Sequence, residues 1–162
     1  MELFLAQNHA PMTHLPIAAA ILAAVAAVLA MFIHKPQLSW AWAMLSIVAM
    51  VTVIPTILTG IHAAKGRGYI EQGIMVADTP DNADIVLHQR LGISGAIVGL
   101  VFLSLGVLHL RGRKVNRWLA AVVAVTLAIL WGVGGHMGGR ASWRPDTFPA
   151  YEHLTTPDAG AQ

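Results

Sequence analysis

Four long stretches without a single Asp, Glu, Lys or Arg set the limits on what this 162-residue chain can become: residues 16–33, 40–61, 91–108 and 118–133, the last running on into glycines. At a rise of about 1.5 Å per residue, each approaches the roughly 30 Å of hydrocarbon that a spanning helix must cross. Lipid offers no partner to backbone N–H and C=O groups, so such runs are helices rather than open strands. The composition agrees, with 56% hydrophobic residues, 11% charged and a mean hydropathy of +0.64, outside the usual balance of a soluble domain. The expected fold is all-α. It is an integral-membrane four-helix bundle in up-down-up-down order, with spans at 14–34, 39–62, 88–109 and 116–136, a bundle domain over 1–139 and a tail over 140–162.

The chain has no cysteine, which excludes disulfides, thiolate zinc sites, cysteine-ligated iron–sulfur clusters and covalent c-type haem attachment. Any metal or cofactor must be held by nitrogen, oxygen or thioether. Residues 1–13 carry Glu2 and neither Lys nor Arg, so they lack the basic region of a secretory signal, and the first helix is expected to stay in the mature protein. The two short connections hold Lys35, Arg111, Arg113, Lys114 and Arg117 and no acid, whereas all eight Asp and Glu residues fall on the other side. Short basic loops dominate orientation, which puts both termini outside the cytoplasm and the tail on the extracytoplasmic face. Trp40, Trp42 and Trp118 are then expected at the cytoplasmic interface and Trp131 near the outer one.

The connection over 63–87 is long for a bundle and polar. It holds Lys65-Gly66-Arg67-Gly68-Tyr69, an apolar piece at Ile74-Met75-Val76, and Asp78-Thr79-Pro80-Asp81 as a turn and helix start, a pattern suited to a lid or docking loop. The tail, with Pro145, Pro149 and Pro157, reads as extended.

Histidines supply the functional signal. His14, His34 and His62 recur as His88, His109 and His136 at offsets of 74, 75 and 74 residues, so the chain reads as two copies of one helical hairpin. His14, His62, His88 and His136 would form a layer near the outer face, one from each helix. In such a bundle helices 1 and 3 are diagonal, as are 2 and 4, and a flat cofactor on the axis would meet two equivalent ligands. Haem b suits that symmetry, because low-spin iron takes two imidazoles from opposite sides. Helical side chains lean toward the N-terminus, which favours His62 and His136 as axial ligands. The pair His14 and His88 is the alternative and could otherwise meet propionates, a quinone oxygen or a metal. Gly60 and Gly135, with Gly134, Gly138 and Gly139, would make room for a macrocycle, and Gly92, Gly95, Gly99 and Gly106 form a small-residue stripe below His88. His34 and His109, beside basic loops, read as interfacial residues. Thr52, Thr56 and Thr59 would serve backbone groups loosened by Pro55.

The segment Thr13-His14-Leu15-Pro16-Ile17-Ala18 resembles the "H-F-P-I-A" opening of the bacterial membrane family called domain of unknown function 2231. Thr59-Gly60, His88 and Gly134-Gly135-His136-Met137-Gly138-Gly139 resemble its later signatures. The resemblance covers all four helices and implies a four-helix inner-membrane protein, sometimes linked to cytochrome c or Rieske modules. It assigns no reaction, and Arg140-Ala141-Ser142-Trp143 departs from the family's aromatic ending.

Together these features point to a b-type cytochrome-like electron-transfer subunit of a bacterial inner membrane, carrying electrons between quinone and a periplasmic redox partner. Two other classes fit the same residues: a cofactor-free scaffold subunit of a respiratory or photosynthetic complex, and a copper-handling membrane protein using the outer histidines with Met12, Met75 and Met137. No acid lies within the apolar spans, so catalysis by paired carboxylates has no support. The basic cluster at 111–117 is explained by topology, so nucleic-acid binding has none either.

Overall fold

The computed structural model describes residues 8–66, 70–71, 74–75 and 83–142. Its helices are α1 (His9–Phe32), α2 (Pro36–Gly66), α3 (Ala83–Leu110) and α4 (Arg117–Ser142). Between α2 and α3, β1 (Ile70–Glu71) and β2 (Ile74–Met75) pair antiparallel with Ile70 opposite Met75. The expected turn at 78–81 and the chain from residue 143 onward lie outside the described residues, while residues 140–142 continue α4. All four helices are long and apolar enough to cross a membrane.

Neighbouring pairs are α1–α2, α3–α4, α1–α4 and α2–α3, so α1 faces α3 and α2 faces α4 across the diagonals. The ends of α1 at His9 and of α4 at Ser142 share one end of the bundle, here the terminal end; the two short loops share the other. Each helix reaches beyond its apolar run at the terminal end, so α1 begins five residues before His14 and α3 five before His88. Hydropathy marks what can sit in hydrocarbon, whereas a helix continues while its hydrogen bonds and packing continue.

The short loops have local causes. Pro36 opens α2 at the first helical position, where its missing N–H costs nothing. After α3, Gly112 takes φ 75°, and the Gly112 and Arg113 amides donate to the His109 and Leu108 carbonyls at 2.9 and 3.0 Å, a Schellman ending. Asn116 Oδ1 then accepts from the Trp118 and Leu119 amides at 2.9 and 3.3 Å and starts α4. Arg117 Nη1 donates across the bundle to the Ala30 carbonyl near the end of α1 at 3.4 Å.

Packing rests on small residues. Ala19, Ala20, Ala23, Ala27 and Ala30 of α1 are almost wholly buried and face Ala43, Ala49, Ala120, Ala121 and Ala124 in one core. Dispersion at close helix contact, rather than bulky side chains, holds these surfaces together. Larger groups enter where a glycine admits them. Trp131 of α4 sits over Gly95 of α3, and Ser46 of α2 over Gly106, so close that a Cβ at either glycine would collide with it. At the short-loop end Trp42 stacks on Phe102 at 5.7 Å and tilts against His109 at 5.2 Å.

The tryptophans divide by helix face. Trp40 and Trp118 are 59% and 64% exposed, facing outward as the aromatic-belt reading expects, but Trp42 and Trp131 are buried at 2% and 6%. Residues two apart on a helix lie on nearly opposite faces, so Trp40 and Trp42 could not share one environment. Gly95→Ala should lower stability by about 1–3 kcal/mol through overpacking against Trp131. Gly132→Ala faces open space and should leave stability unchanged or raise it by up to about 1 kcal/mol. Thermal unfolding in detergent followed by far-UV circular dichroism measures both.

Candidate functional site

The site begins with two prolines and the carbonyls they leave behind. Pro16 lies inside α1 and has no N–H to offer the Met12 carbonyl four residues earlier. Thr56 of α2 donates its hydroxyl to that carbonyl at 3.0 Å, with the Thr52 carbonyl at 2.9 Å as a second acceptor. The threonines do serve the backbone, as expected, but Thr56 answers the proline of the neighbouring helix. This bond fixes the first turns of α1 against α2 and brings His9 over Gly60.

His9 is the residue that sequence periodicity did not single out. Its Nδ1 lies 3.2 Å from Thr59 Oγ1, and the Thr59 hydroxyl lies 2.9 Å from the Pro55 carbonyl and 3.0 Å from that of Thr56. The Thr59 hydroxyl can donate to either carbonyl or to the ring, so the His9 tautomer sets which group donates in this contact. The ring lies so close to Gly60 that a Cβ there would come within 2.9 Å of His9 Cε1. Asn8 as a helix-start residue, just ahead of Pro11 in the first turn, was the available signal that the helix begins before His14.

His88 is the partner from the diagonal helix. Its Nδ1 lies 2.7 Å from the Gly134 carbonyl of α4, and a carbonyl only accepts, so Nδ1 carries the proton and Nε2 the lone pair. Gly138 makes room for it, since a Cβ there would stand 2.8 Å from His88 Nδ1. The two rings meet at 6.1 Å between centres with planes at 79°.

Both rings border a cavity of about 590 Å3, lined from all four helices, within the roughly 300–1,000 Å3 typical of cofactor and ligand clefts. Trp131 and Pro16 are buried in its wall, Gly60 and Gly135 line it as expected of glycines that make room, and Ile17 packs against Gly135. None of the described lining residues carries a formal charge. Asp84 and Arg140 pair at 3.5 Å nearby, tying the start of α3 to the end of α4.

The four histidines of the sequence layer do not converge. His14 is exposed, though it borders the cavity with His88; His136 is exposed, His62 is half-buried, and neither of these two lines the cavity. The reason is helical phase. Gly134 and Gly138 face His88, so His136, two residues from each, points to the opposite side. Gly60 faces His9, so His62 turns away, leaving its buried Nδ1 without a hydrogen-bond partner. His9 and His14, five residues apart, differ by about 140° around α1. The facing pair is therefore His9 with His88 rather than His62 with His136. At the far end His34 is exposed with Nδ1 near the Phe32 carbonyl, and His109 packs on Trp42.

Among the described residues no three or more His, Asp or Glu side chains gather as a metal-binding group, so the outer histidines do not form a polyhistidine site. What is assembled is a pair. The two rings meet edge to face, with their centres 6.1 Å apart. Metal-binding imidazoles characteristically donate their other N–H to a backbone carbonyl or similar group, as His88 does to Gly134.

No family model, no curated protein and no solved structure matches this chain. Nitrogen-15 NMR of histidine-labelled protein should find His88 protonated at Nδ1. Thr59→Val should shift the His9 signal alone and cost about 1–2 kcal/mol of stability. A proton on Nε2 of His88 would contradict this geometry.

Proposed function

We propose that the protein is a membrane-spanning b-type cytochrome-like electron carrier that holds one haem between His9 and His88. The observation that carries this reading is the crossed imidazole pair from diagonal helices, with ring centres 6.1 Å apart and His88 Nδ1 bonded to the Gly134 carbonyl. Haem iron would supply one-electron chemistry. The chain would supply two nitrogen ligands, hydrogen bonds with Thr59 and Gly134 that orient the rings, and a described lining without formal charge.

Four helices of spanning length and the charge-poor lining support insertion in a bilayer. The basic short loops, against acids confined to the terminal side, support an orientation with both termini outside the cytoplasm. The haem would then sit near the extracytoplasmic face of a bacterial inner membrane, within reach of quinone in the lipid and of a periplasmic or membrane redox subunit. The resemblance to the domain of unknown function 2231 family, with its links to cytochrome c and Rieske modules, is in keeping with this placement. The diagonal helices α1 and α3 present a histidine pair, through His9 instead of the repeat-related His14.

Protein purified from cells supplied with haem precursor should show a Soret band and a sharp α absorption on reduction. Both should be lost in His9→Ala and in His88→Ala and retained in His62→Ala and His136→Ala. A colourless, folded preparation that takes up no added haem would overturn the reading and leave a scaffold role.

A further inference from the structure

The cavity has a side door. The exposed residues of its lining gather mainly on α2 and α3, which pack least closely of the four neighbouring pairs. On α3, Gln89, Ile93, Ile97 and Leu100 follow one another at spacings of four, four and three residues, the repeat of a single helix face. Across from them, Ile57 and Ile61 of α2 stand one turn apart and are likewise exposed, at 50% and 41%. From His88 to Leu100 the face extends about 18 Å along the helix. The cleft therefore opens through the flank of the bundle between α2 and α3, at the depth of the apolar runs.

We infer that this cleft is the docking place of a membrane-dissolved hydroquinone bearing an isoprenoid tail. Three features select that occupant. The opening is framed by isoleucine and leucine on the flank that would face lipid, so a ligand enters from the bilayer. The described lining holds no Lys or Arg to meet a phosphate, which disfavours a phospholipid headgroup, and no acid to meet a cation. At the terminal end of the cleft Gln89 offers both a hydrogen-bond donor and acceptors, suited to a neutral ring hydroxyl or carbonyl, while the isoleucines beyond it suit a branched hydrocarbon tail. The head would lie at the mouth beside the imidazole pair, leaving the space between the rings to the cofactor. The purpose of such a ligand rests on the electron-carrier reading, but its fit to the cleft does not.

The test is photolabelling in lipid nanodiscs with an azido-benzoquinone carrying a decyl tail, with adducts mapped by mass spectrometry. Adducts should concentrate on the segments 57–61 and 89–100. Decylubiquinol should compete for them, and excess phosphatidylglycerol should not. The double variant Ile57→Trp with Ile97→Trp narrows the cleft at positions that already face outward, so folding should be retained while competed labelling falls at least fivefold. Gln89→Leu should weaken competition by decylubiquinol about tenfold. Labelling spread evenly over all outward helix faces, competition by phosphatidylglycerol, or labelling unchanged in the folded double variant would each overturn the inference. A visible spectrum of the same wild-type nanodisc sample, supplied with haem, separates the two readings. Competed labelling in a protein that never binds haem would keep the docking site and remove the electron carrier, whereas diffuse labelling of a coloured protein would do the reverse.

Discussion

The bond from Thr56 to the Met12 carbonyl is the constraint on which the site depends. In apolar surroundings a carbonyl without a donor costs on the order of 1–3 kcal/mol, and Pro16 creates one inside α1. Thr56 answers it from α2, which registers α1 against α2 within the turn that carries His9. Thr59, three residues later on α2, then receives His9 Nδ1. A single proline thus fixes both the height and the rotation of one ring of the pair. The other ring is fixed by a backbone group of a different helix, the Gly134 carbonyl. That carbonyl can accept a second bond because an oxygen has two lone pairs.

Small residues permit the rest. Alanine faces draw α1 close to α2 and α4, while glycines at 60, 95 and 138 receive an imidazole, an indole and an imidazole from neighbouring helices. The glycines that a sequence reader assigns to a macrocycle are thus partly spoken for by side chains. Gly60 and Gly138 seat the two histidines, and Gly95 seats Trp131 in the cavity wall. The space that remains is elongated, uncharged and open on one flank. Its walls pack most closely where α1 meets α2 and least closely where α2 meets α3.

Much of the fold was legible because four apolar, charge-free runs admit little else. The site was half legible. His88 and the glycines at 60 and 135 were found because histidine and glycine are rare enough in apolar runs to stand out. His9 was missed because hydropathy ends where the lipid would end, whereas α1 begins five residues earlier, supported by hydrogen bonds that hydropathy does not register. His62 and His136 were chosen by axial level without regard to rotation, yet a shift of two residues on a helix reverses a side chain's direction. The same oversight placed Trp42 and Trp131 at an interface when both are buried. Level along a membrane helix can be read from composition, but rotation requires knowing which residues its neighbours touch.

What the arrangement offers chemically is a pair of imidazoles nearly at right angles, beside a cavity whose described lining carries no formal charge. The proposed haem ligation makes a specific demand on that pair. Low-temperature electron paramagnetic resonance of the oxidised protein tests this most directly, since the shape of a low-spin ferric signal reports the angle between the two axial imidazole planes. Rings crossed at 79° require a highly anisotropic low-spin signal. The rhombic spectrum of parallel imidazoles, or a high-spin signal from iron with one histidine, would contradict ligation by His9 and His88.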